Sequence, residues 1–562
     1  MLQCAPVNRR RGALAVGVAA AAVILVALGV VGAGAIGLIG GSAGTATPHF
    51  VEEAAAAGLD HRYTGGYQYF VGGGVATFDC DGDGLPDVYL AGGAGPAALF
   101  RNRSQMGGAL RFERVPSPVT DLDAVTGAYP LDVDGDGITD LAVLRVGESQ
   151  ILRGLGDCRF ERADQALGLD TGDGWTTAFS ATWEGKNELP TLAFGRYVTL
   201  DANGDATYTC PPDDLIRPDA SGTSYAAPIP LSPSWCTLSM LFSDWSHSGH
   251  ADLRVSNDRH YYTDQSGGEE QLWQIRAGQD PRLYTKADGW QTLKIWGMGI
   301  ASQDLTADGL PEIYLTSQAD NKLQTLANGP AQPTYKDIAL ARGVTATTPF
   351  TGGDTLASTA WHPQFEDLNN DSLFDLLVTK GNVEAEVDMA HKDPTNLFLG
   401  QPDGTFVEAA EQAGILTFDR GRGAAVADFN MDGLPDILEV FRQEPVKLWR
   451  NVGGGTAAAP APMGNWLGIR ITQPAPNRDA IGAWVEVKAG DGDVQREVTV
   501  GGGHVSGQLG WTHFGLGAAE GAQVRVTWPD GTVGTWLTVP ANGYVTIDRA
   551  AGTAVPWSLA GG

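Results

Sequence analysis

The chain has 562 residues, 43% of them hydrophobic, and its 66 acidic against 37 basic side chains give a formal net charge of -29. This length and hydrophobic content exclude a disordered polypeptide and leave room for a large domain beside a smaller one. The acidic balance argues against nucleic acid as a partner, because phosphates are bound by basic surfaces. The 76 glycines and 31 prolines favour a turn-rich β protein.

Residues 1–47 have the pattern of a membrane-targeting segment. Arginines at positions 9–11 precede an uncharged, apolar run from Gly12 to about Gly41. Such a run is long enough to span a bilayer, and the basic residues before it place the N-terminus inside. A cleaved export signal is the alternative, although its apolar region is usually shorter. We favour an uncleaved anchor; under both interpretations the remaining chain is extracytoplasmic, either anchored or secreted.

Four cysteines follow the apolar run, and an even number outside the cell indicates disulfides. Three pairings are possible for Cys80, Cys158, Cys210 and Cys236. We favour Cys210–Cys236, which closes an irregular Pro/Ser-rich insertion. Cys80–Cys158 would then tie the first two repeats together. The sequence alone proves neither bridge.

A nine-residue acidic loop, or its remnant, recurs seven times in residues 48–455. The clearest copy runs from Asp79 to Asp87, and the copies begin at positions 79, 132, 183, 244, 304, 367 and 428. So regular a period indicates an array of one supersecondary unit. A small or apolar strand precedes each loop and three further short strands complete each repeat, as in a propeller blade. The sequence therefore predicts an all-β, seven-bladed propeller.

The seventh repeat lacks the segment that ends the others. After residues 448–451 the chain runs into a glycine-rich stretch, whereas the missing Phe…Ala…Gly-Leu pattern occurs at residues 50–59. We therefore predict that the N-terminal segment supplies the outer strand of the last blade and closes the ring, which removes exposed strand edges.

A second domain follows the propeller. Residues 456–464 have the composition of a linker, and residues 465–550 alternate apolar and polar positions between turn signals such as Pro529-Asp530-Gly531. This pattern predicts a small β-sandwich-like domain. Residues 551–562 are interpreted as a tail.

The chemistry of the loops points to calcium. Loop positions 1, 3, 5 and 9 carry oxygen side chains and position 6 is usually glycine, which suits a hard cation with six to eight oxygen ligands. We predict about five Ca²⁺ sites. The predicted ligands are Asp79, Asp81, Asp83 and Asp87; Asp132, Asp134, Asp136 and Asp140; Asp304, Thr306, Asp308 and Glu312; Asp367, Asn369, Asp371 and Asp375; and Asp428, Asn430, Asp432 and Asp436.

The remaining two loops are degraded. Loop 3, residues 183–191, has lost its ligand-position carboxylates and is expected to be free of metal. Loop 4 retains Asp244 and Asp252 but has serines at positions 3 and 5, so its binding is left open. An EF-hand is not supported, because strands rather than helices flank these loops.

The loop pattern resembles the FG-GAP/VCBS repeats of integrin-α-type propellers. In the second domain, Asn477-Arg478-Asp479-Ala480-Ile481-Gly482-Ala483 and residues 501–508 resemble an ASPIC/UnbV domain. The combination is similar to the cartilage acidic protein family, including its bacterial members. That resemblance implies a calcium-binding propeller outside the cell with a role in adhesion or recognition, and it supplies no established reaction.

Two functions of different class follow. The first is a non-catalytic recognition or adhesion protein for an unknown protein or glycan, displayed from the membrane. The alternative is an extracellular calcium-dependent polysaccharide lyase or hydrolase. His504 and Ser506 invite a hydrolase interpretation, but no Gly-x-Ser-x-Gly elbow accompanies them. His247, His250 and His260 could form a transition-metal site, although surface or core histidines are the better account. We identify no catalytic constellation in the sequence.

Overall fold

The computed structural model describes residues 46–201, 203–207, 209–258, 268–490 and 492–559. The predicted anchor or signal falls almost entirely on residues 1–45, which lie outside the described residues, as does His260. Within the described ranges, no helix is both long and apolar enough to cross a membrane.

Seven consecutive units of four antiparallel strands make up most of the described chain. Units 2 and 3 share one larger sheet, because the second strand of unit 2 also pairs with the first strand of unit 3. The strands of units 1 to 4 are Val75–Phe78, Asp87–Leu90, Ala98–Asn102 and Phe112–Arg114; Val125–Leu131, Asp140–Glu148, Gln150–Gly154 and Phe160–Arg162; Asp173–Thr182, Thr191–Arg196, Asp213–Ile216 and Ile229–Leu231; and Thr237–Ser243, Asp252–Asn257, Gln271–Gln274 and Arg282–Leu283.

The later units repeat the same order, with short helices between some of them. The α-helices are Ala54–Ala57, Ala339–Arg342 and Ala410–Ala413, and the 3₁₀ helices are Tyr67–Tyr69 and Lys286–Asp288. Units 5 to 7 contain the strands Gly297–Gln303, Glu312–Ser317, Lys322–Leu326 and Tyr335–Asp337; Ala360–Glu366, Asp375–Lys380, Asn396–Gly400 and Phe406–Glu408; and Gly421–Ala427, Asp436–Phe441, Lys447–Asn451 and Phe50–Glu52.

The units form a closed ring. The first strand of each unit contacts the first strand of the next, and the first strand of unit 7 contacts that of unit 1. Each first strand is nearly or wholly buried, because it faces the axis and its neighbours. This arrangement is a β-propeller, and the prediction of an all-β propeller is confirmed.

The N-terminal strand closes the last unit, as predicted. Phe50–Glu52 pairs antiparallel with Lys447–Asn451. Phe50 is buried with Trp449 in the core between units 6 and 7. Glu53 adds an ion pair to Arg450 at 3.0 Å, with both side chains largely buried. The two ends of the ring are therefore joined by both hydrogen bonds and apolar contacts.

The C-terminal domain, here called the cap, is a sandwich of two four-stranded sheets with one apolar core between them. The predicted tail at 551–562 is wrong in part, because Thr553–Trp557 is the edge strand of one sheet. A short additional strand, Gly507–Gln508, pairs with the ring. The sheet strands in spatial order are Thr512–Gly517, Asn465–Thr472, Gly543–Asp548 and Thr553–Trp557; and Gly492–Glu497, Trp484–Ala489, Gly521–Thr527 and Leu537–Pro540.

Residues 500–508 of the cap enter the centre of the ring, and we call this segment the plug. Gly507–Gln508 pairs parallel with Ala76 and Thr77 in the first strand of unit 1. Single β-bridges join the plug to units 2 to 5. These bridges are Ala128 to Ser506, Ala181 to Val500, Leu241 to Gly501, and Ile300 to Gly503.

Side chains complete the contacts of the plug with the last two units. The His504 N–H donates to His362 Nδ1 of unit 6 at 3.0 Å. The Gln508 Nε2 donates to the Val426 carbonyl of unit 7 at 2.7 Å. The plug therefore contacts the first strand of every unit, so this segment of the cap is part of the ring's core.

The other end of the axis is filled by aromatic side chains. Residues 67–71 pack against Trp175 of unit 3 and Trp361 of unit 6 in one buried cluster. Arg422 of unit 7 lies over the Trp361 ring at 4.2 Å and donates to backbone carbonyls, including that of Phe70 at 2.8 Å. Both ends of the axis are thus occupied by the chain itself.

Both favoured disulfides are present. Cys80–Cys158 joins the first loop to the end of unit 2, and Cys210–Cys236 closes the insertion in unit 3. Such bridges are typical of an oxidising compartment.

Candidate metal loops and the capped face

The acidic loops share one backbone conformation, which only certain residues adopt without strain. Position 6 is left-handed in all five strong loops, with φ of 85–88° at four glycines and 72° at Ser372. Position 4 is left-handed as well. Because glycine has no Cβ, it takes this conformation at little cost. Loop 4 keeps the pattern at His247 and Gly249, whereas loop 3 does not.

The carboxylates hold this conformation by accepting backbone N–H groups. In loop 1, Asp79 accepts the Gly84 N–H at 3.0 Å and Asp83 accepts the Leu85 N–H at 2.9 Å. Asp87 accepts the Cys80 N–H at 2.8 Å and the Asn102 N–H at 2.7 Å, which fastens the loop to the third strand. The other four strong loops have the same three bonds, in which the side chains at positions 1, 5 and 9 accept backbone N–H groups of the loop.

Burial raises the pKa of many of these carboxyl groups. It raises the pKa of Asp132 to about 7 and that of Asp140 to about 8. Asp375 and Asp436 are raised well above their ordinary value, first by burial and then by neighbouring carboxylates. Buried like charges repel each other unless a proton or a cation neutralises them. The negative charge of these loops is therefore neutralised either by protons or by a bound cation.

Loops 1 and 2 bring three carboxylates close together. Asp79, Asp81 and Asp87 each offer an oxygen within 4.8 Å of the others, and loop 2 does the same with its first three aspartates, Asp132, Asp134 and Asp136. Arginines also reach these loops, with Arg101 at 3.1 Å from Asp81 and Arg153 at 2.7 Å from Asp134. Cys80 and Cys158 lie beside Asp87 but are oxidised to a disulfide, so they are not ligands.

Loop 7 contains an oxygen without a partner. Asn430 is fully buried, and its Nδ2 donates to the Gly108 carbonyl at 2.8 Å and to Asp432 at 3.0 Å. Its Oδ1 has no hydrogen-bond partner in the structure. A buried amide oxygen without a partner is costly. Beside the carboxylates of Asp428 and Asp432, it fits the donor set that Ca²⁺ prefers.

Arginines pair with acidic side chains in the two degraded loops, as they do in loops 1 and 2. In loop 3, Arg217 makes two bonds to Glu184, at 2.7 and 2.9 Å. In loop 4, Arg276 lies 2.5 Å from Asp252, which also accepts bonds from Trp245 Nε1 and a tyrosine hydroxyl. The cationic charge in these loops is therefore supplied by the protein. The expected absence of metal in loop 3 remains a prediction.

The cap lies on the face of the ring that carries the acidic loops. Cap side chains contact the first carboxylate of several loops, and others contact the loop backbone or neighbouring side chains. Arg470 lies 3.5 Å from Asp79, Gln495 donates to Asp304 at 3.0 Å, and Tyr544 donates to Asp428 at 2.5 Å. Trp511 donates to the Gly84 carbonyl at 2.9 Å, Arg478 to that of Gly135 at 2.5 Å, and the His513 ring bonds Asn370 at 2.7 Å.

The histidines considered for catalysis have structural surroundings. His504 is fully buried in the plug, and Ser506 donates to its carbonyl at 3.0 Å, so the two side chains are not arranged as base and nucleophile. His247 stacks on Trp484 with ring centroids 4.3 Å apart. Among the described residues, the groups of potential metal ligands contain no histidine.

Sequence reasoning missed the role of the plug and of the cap residues on the loops. The sequence shows three consecutive glycines at 501–503, but the residues that contact the plug belong to all seven units of the ring. One signal was available: the first strands contain small residues, which allow another segment to approach closely at the axis. A Cβ at Gly74 or Gly127 would lie 1.8 or 2.1 Å from the Val505 carbonyl oxygen.

Known families match both parts of the chain. The family described as ASPIC and UnbV matches residues 473–554, and the FG-GAP-like repeat matches residues 79–143. Cartilage acidic protein 1 of Xenopus tropicalis is 23% identical over 496 residues, covering 82% of this chain and 71% of that protein. The Mus musculus protein of the same name is 24% identical over 491 residues, covering 82% and 70%.

Solved structures show weaker similarity. An Agrocybe aegerita lectin that recognises non-reducing terminal N-acetylglucosamine has a TM-score of 0.37 at 15% identity, covering 67% of this chain and 93% of the lectin. Trypanosoma rangeli sialidase has a TM-score of 0.35 at 9% identity, covering 62% and 58%. The resemblance inferred from the motifs is confirmed by the family matches: the chain carries an FG-GAP-like repeat and an ASPIC/UnbV unit and is similar to cartilage acidic protein 1 over most of its length.

Proposed function

We propose that this protein is an extracytoplasmic, calcium-stabilised recognition or adhesion protein without catalytic activity. The observation that carries the calcium part is the recurrence of one left-handed loop with buried carboxylates in five units. Calcium would neutralise charge that burial otherwise penalises, and its oxygen ligands are those the loops offer. The residues proposed to bind Ca²⁺ are the loop side chains predicted from the sequence.

The extracytoplasmic location is supported by the two disulfides and by the similarity to cartilage acidic protein 1. A role in recognition is supported by the same similarity and by the filled axis. The axial Arg422 side chain donates to backbone carbonyls, and the axial His362 and His504 are buried in the core. These side chains stabilise the packing of the axis. The ligand, an unidentified protein or glycan, would therefore bind at another surface.

Thermal unfolding with and without calcium tests the calcium part. At calcium concentrations tenfold above the dissociation constant, each occupied site should add about 1.4 kcal/mol to the free energy of unfolding. We therefore expect a chelator to lower the melting temperature by several degrees and calcium to restore it. Magnesium should restore less, because it requires a smaller and more regular site.

Two single substitutions make this test specific. Asp432→Asn in loop 7 should reduce the calcium-dependent part of the stabilisation. Asp403→Asn, in an exposed turn of unit 6, should leave it unchanged. Identical melting curves in calcium and chelator for the unsubstituted protein would refute the calcium role.

A binding screen of residues 46–562 against glycans and extracellular proteins tests the recognition part. We expect saturable binding to at least one partner, weakened by chelation, with no change in the partner's covalent structure. Release of a product from a polysaccharide would instead support the calcium-dependent lyase or hydrolase.

A further inference from the structure

The strong acidic loops differ in how far they are exposed to solvent. In loop 2, Asp134 and Asp136 are exposed, so a cation there would be in contact with solvent. In loop 7, every residue from 428 to 436 is buried except Asp432, which is half-buried. Asn430, at position 3, is 0% exposed. The two loops therefore offer the same ligand positions in very different surroundings.

Two aromatic residues of the cap cover loop 7. The Trp466 ring lies against Gly433, where an added Cβ would be 1.9 Å from the indole. The Tyr544 hydroxyl donates to Asp428, and its ring packs on Trp466 with centroids 4.9 Å apart. Both rings join Met431, at position 4 of the loop, in one apolar cluster. A cation that left on this side would have to displace both rings.

The ring encloses loop 7 from another side. The Gly107 N–H donates to the Asn430 carbonyl at 2.8 Å, and Asn430 Nδ2 donates to the Gly108 carbonyl at 2.8 Å. Both glycines belong to the turn between the third and fourth strands of unit 1. Oδ1 of the same asparagine has no hydrogen-bond donor among the described residues. Loop 7 thus keeps a buried oxygen that a cation would satisfy, between unit 1 and the cap.

The contacts on loop 2 leave its outer side open. Arg478 of the cap donates to the Gly135 carbonyl at 2.5 Å, and Pro476 lies against the same glycine. These contacts leave the aspartates at positions 3 and 5 at the surface. Arg153 pairs with Asp134, but its side chain is 40% exposed and can move aside without any change in the cap.

The two kinds of cover move on different timescales. Rotamers of exposed side chains change within picoseconds to nanoseconds, whereas the opening of a packed lid or domain takes microseconds to seconds. Loop 2 is covered by an exposed arginine, and loop 7 is covered by rings that belong to the core between ring and cap. Exchange of a bound ion is therefore expected to be slower at loop 7.

We propose that loop 7 is an occluded calcium site that releases its ion only when the cap moves, whereas loop 2 exchanges calcium directly with solvent. The proposal rests on the calcium role proposed above and adds how exchange is controlled at one site. Trp466 and Tyr544 form the cover. The ion in loop 7 is consequently retained during brief depletion of external calcium.

The test is stopped-flow calcium release from the full-length protein in mild detergent, started by mixing the calcium-loaded protein with the fluorescent chelator quin-2. We expect two phases whose rates differ at least tenfold. Asp432→Asn should remove amplitude from the slow phase. Asp136→Asn, at the same position of loop 2, should remove amplitude from the fast phase.

A cap variant tests the cover itself. Trp466→Ala should accelerate release from loop 7 at least tenfold. The control is Trp536→Ala, which removes a half-buried cap tryptophan that contacts Lys488 and Arg525 and should leave both rates unchanged. Melting curves show whether both variants are folded. If Trp466→Ala is not folded, the comparison of the two aspartate variants decides.

The proposal is overturned if the two aspartate variants lose amplitude from the same phase, or if folded Trp466→Ala releases calcium at the rate of the Trp536→Ala control. Calcium binding followed by release in a single fast phase would remove the occluded site and leave the calcium role intact. Absence of calcium binding would remove the calcium role itself, and the occluded site with it.

Discussion

Individual side chains determine how the negative charge of each loop is neutralised. Five loops gather carboxylates, several of which have pKa values raised by burial. Arginines pair with acidic side chains in loops 1 and 2 and also in the degraded loops 3 and 4, where the arginines are Arg217 and Arg276. Loss of ligand residues is thus accompanied by an ion pair. An arginine fixed in place provides the neutralisation that a divalent cation would provide elsewhere.

A buried carboxyl group outside the loops makes stability depend on pH. The pKa of Glu439 is raised to about 8, chiefly by burial, from an ordinary value of 4.5. The folded state binds this proton more tightly than the unfolded state does. The contribution of Glu439 to the free energy of unfolding is therefore complete below pH 4.5 and is lost as pH rises through about 8. We therefore expect the free energy of unfolding to fall between pH 5 and 8 more steeply than it does in Glu439→Gln.

Urea unfolding at constant saturating calcium measures this difference. Glu411→Gln, at an exposed helix position, serves as the control and should follow the unsubstituted protein. Parallel pH profiles for Glu439→Gln and the unsubstituted chain would show that Glu439 does not titrate in this range.

At the scale of a secondary-structure element, the N-terminal strand closes the ring. Phe50–Glu52 occupies the position in unit 7 that Phe406–Glu408 occupies in unit 6. Within this strand Phe50 is buried, Val51 is half-buried and Glu52 is exposed. The three-residue strand thus stabilises the ring mainly through one aromatic side chain and its backbone pairing.

We expect Phe50→Ala to lower the free energy of unfolding by about 3–5 kcal/mol, because truncating a buried aromatic leaves a cavity. Val407→Ala should change it by less than about 0.5 kcal/mol, as is usual for exposed positions. Urea denaturation followed by tryptophan fluorescence measures both. Equal effects of the two substitutions would argue that the closing strand adds little to stability.

At the scale of the whole molecule, the plug joins the cap to all seven units. It fills the axis from one side, and the cluster around Trp175 and Trp361 fills the other. Cap side chains outside the plug also form hydrogen bonds with six of the seven acidic loops. Ring, loops and cap are therefore expected to unfold together.

A single added methyl group tests this coupling. Gly127→Ala should place its Cβ against the Val505 carbonyl and displace the plug, lowering the free energy of unfolding by about 1–3 kcal/mol. Gly543→Ala, in a cap strand with open space around it, is the matched control.

Limited proteolysis reports the position of the plug directly. We expect faster cleavage within residues 499–510 in Gly127→Ala than in the control. Unchanged cleavage together with unchanged stability would show that the ring tolerates the methyl group and that the plug is not tightly packed.

The sequence by itself determined the repeat, the all-β propeller, the loop positions and the closing strand at Phe50–Glu52. For the disulfides it favoured the observed pairs among three possible pairings, and the structure decided between them. These features depend on local patterns, such as carboxylate spacing and left-handed glycines, or on one missing repeat segment. Only the tertiary structure decided that residues 500–508 fill the axis, that Thr553–Trp557 is a strand, and that arginines neutralise loops 3 and 4. Those outcomes depend on contacts between residues hundreds of positions apart, which leave no periodic signal in the chain.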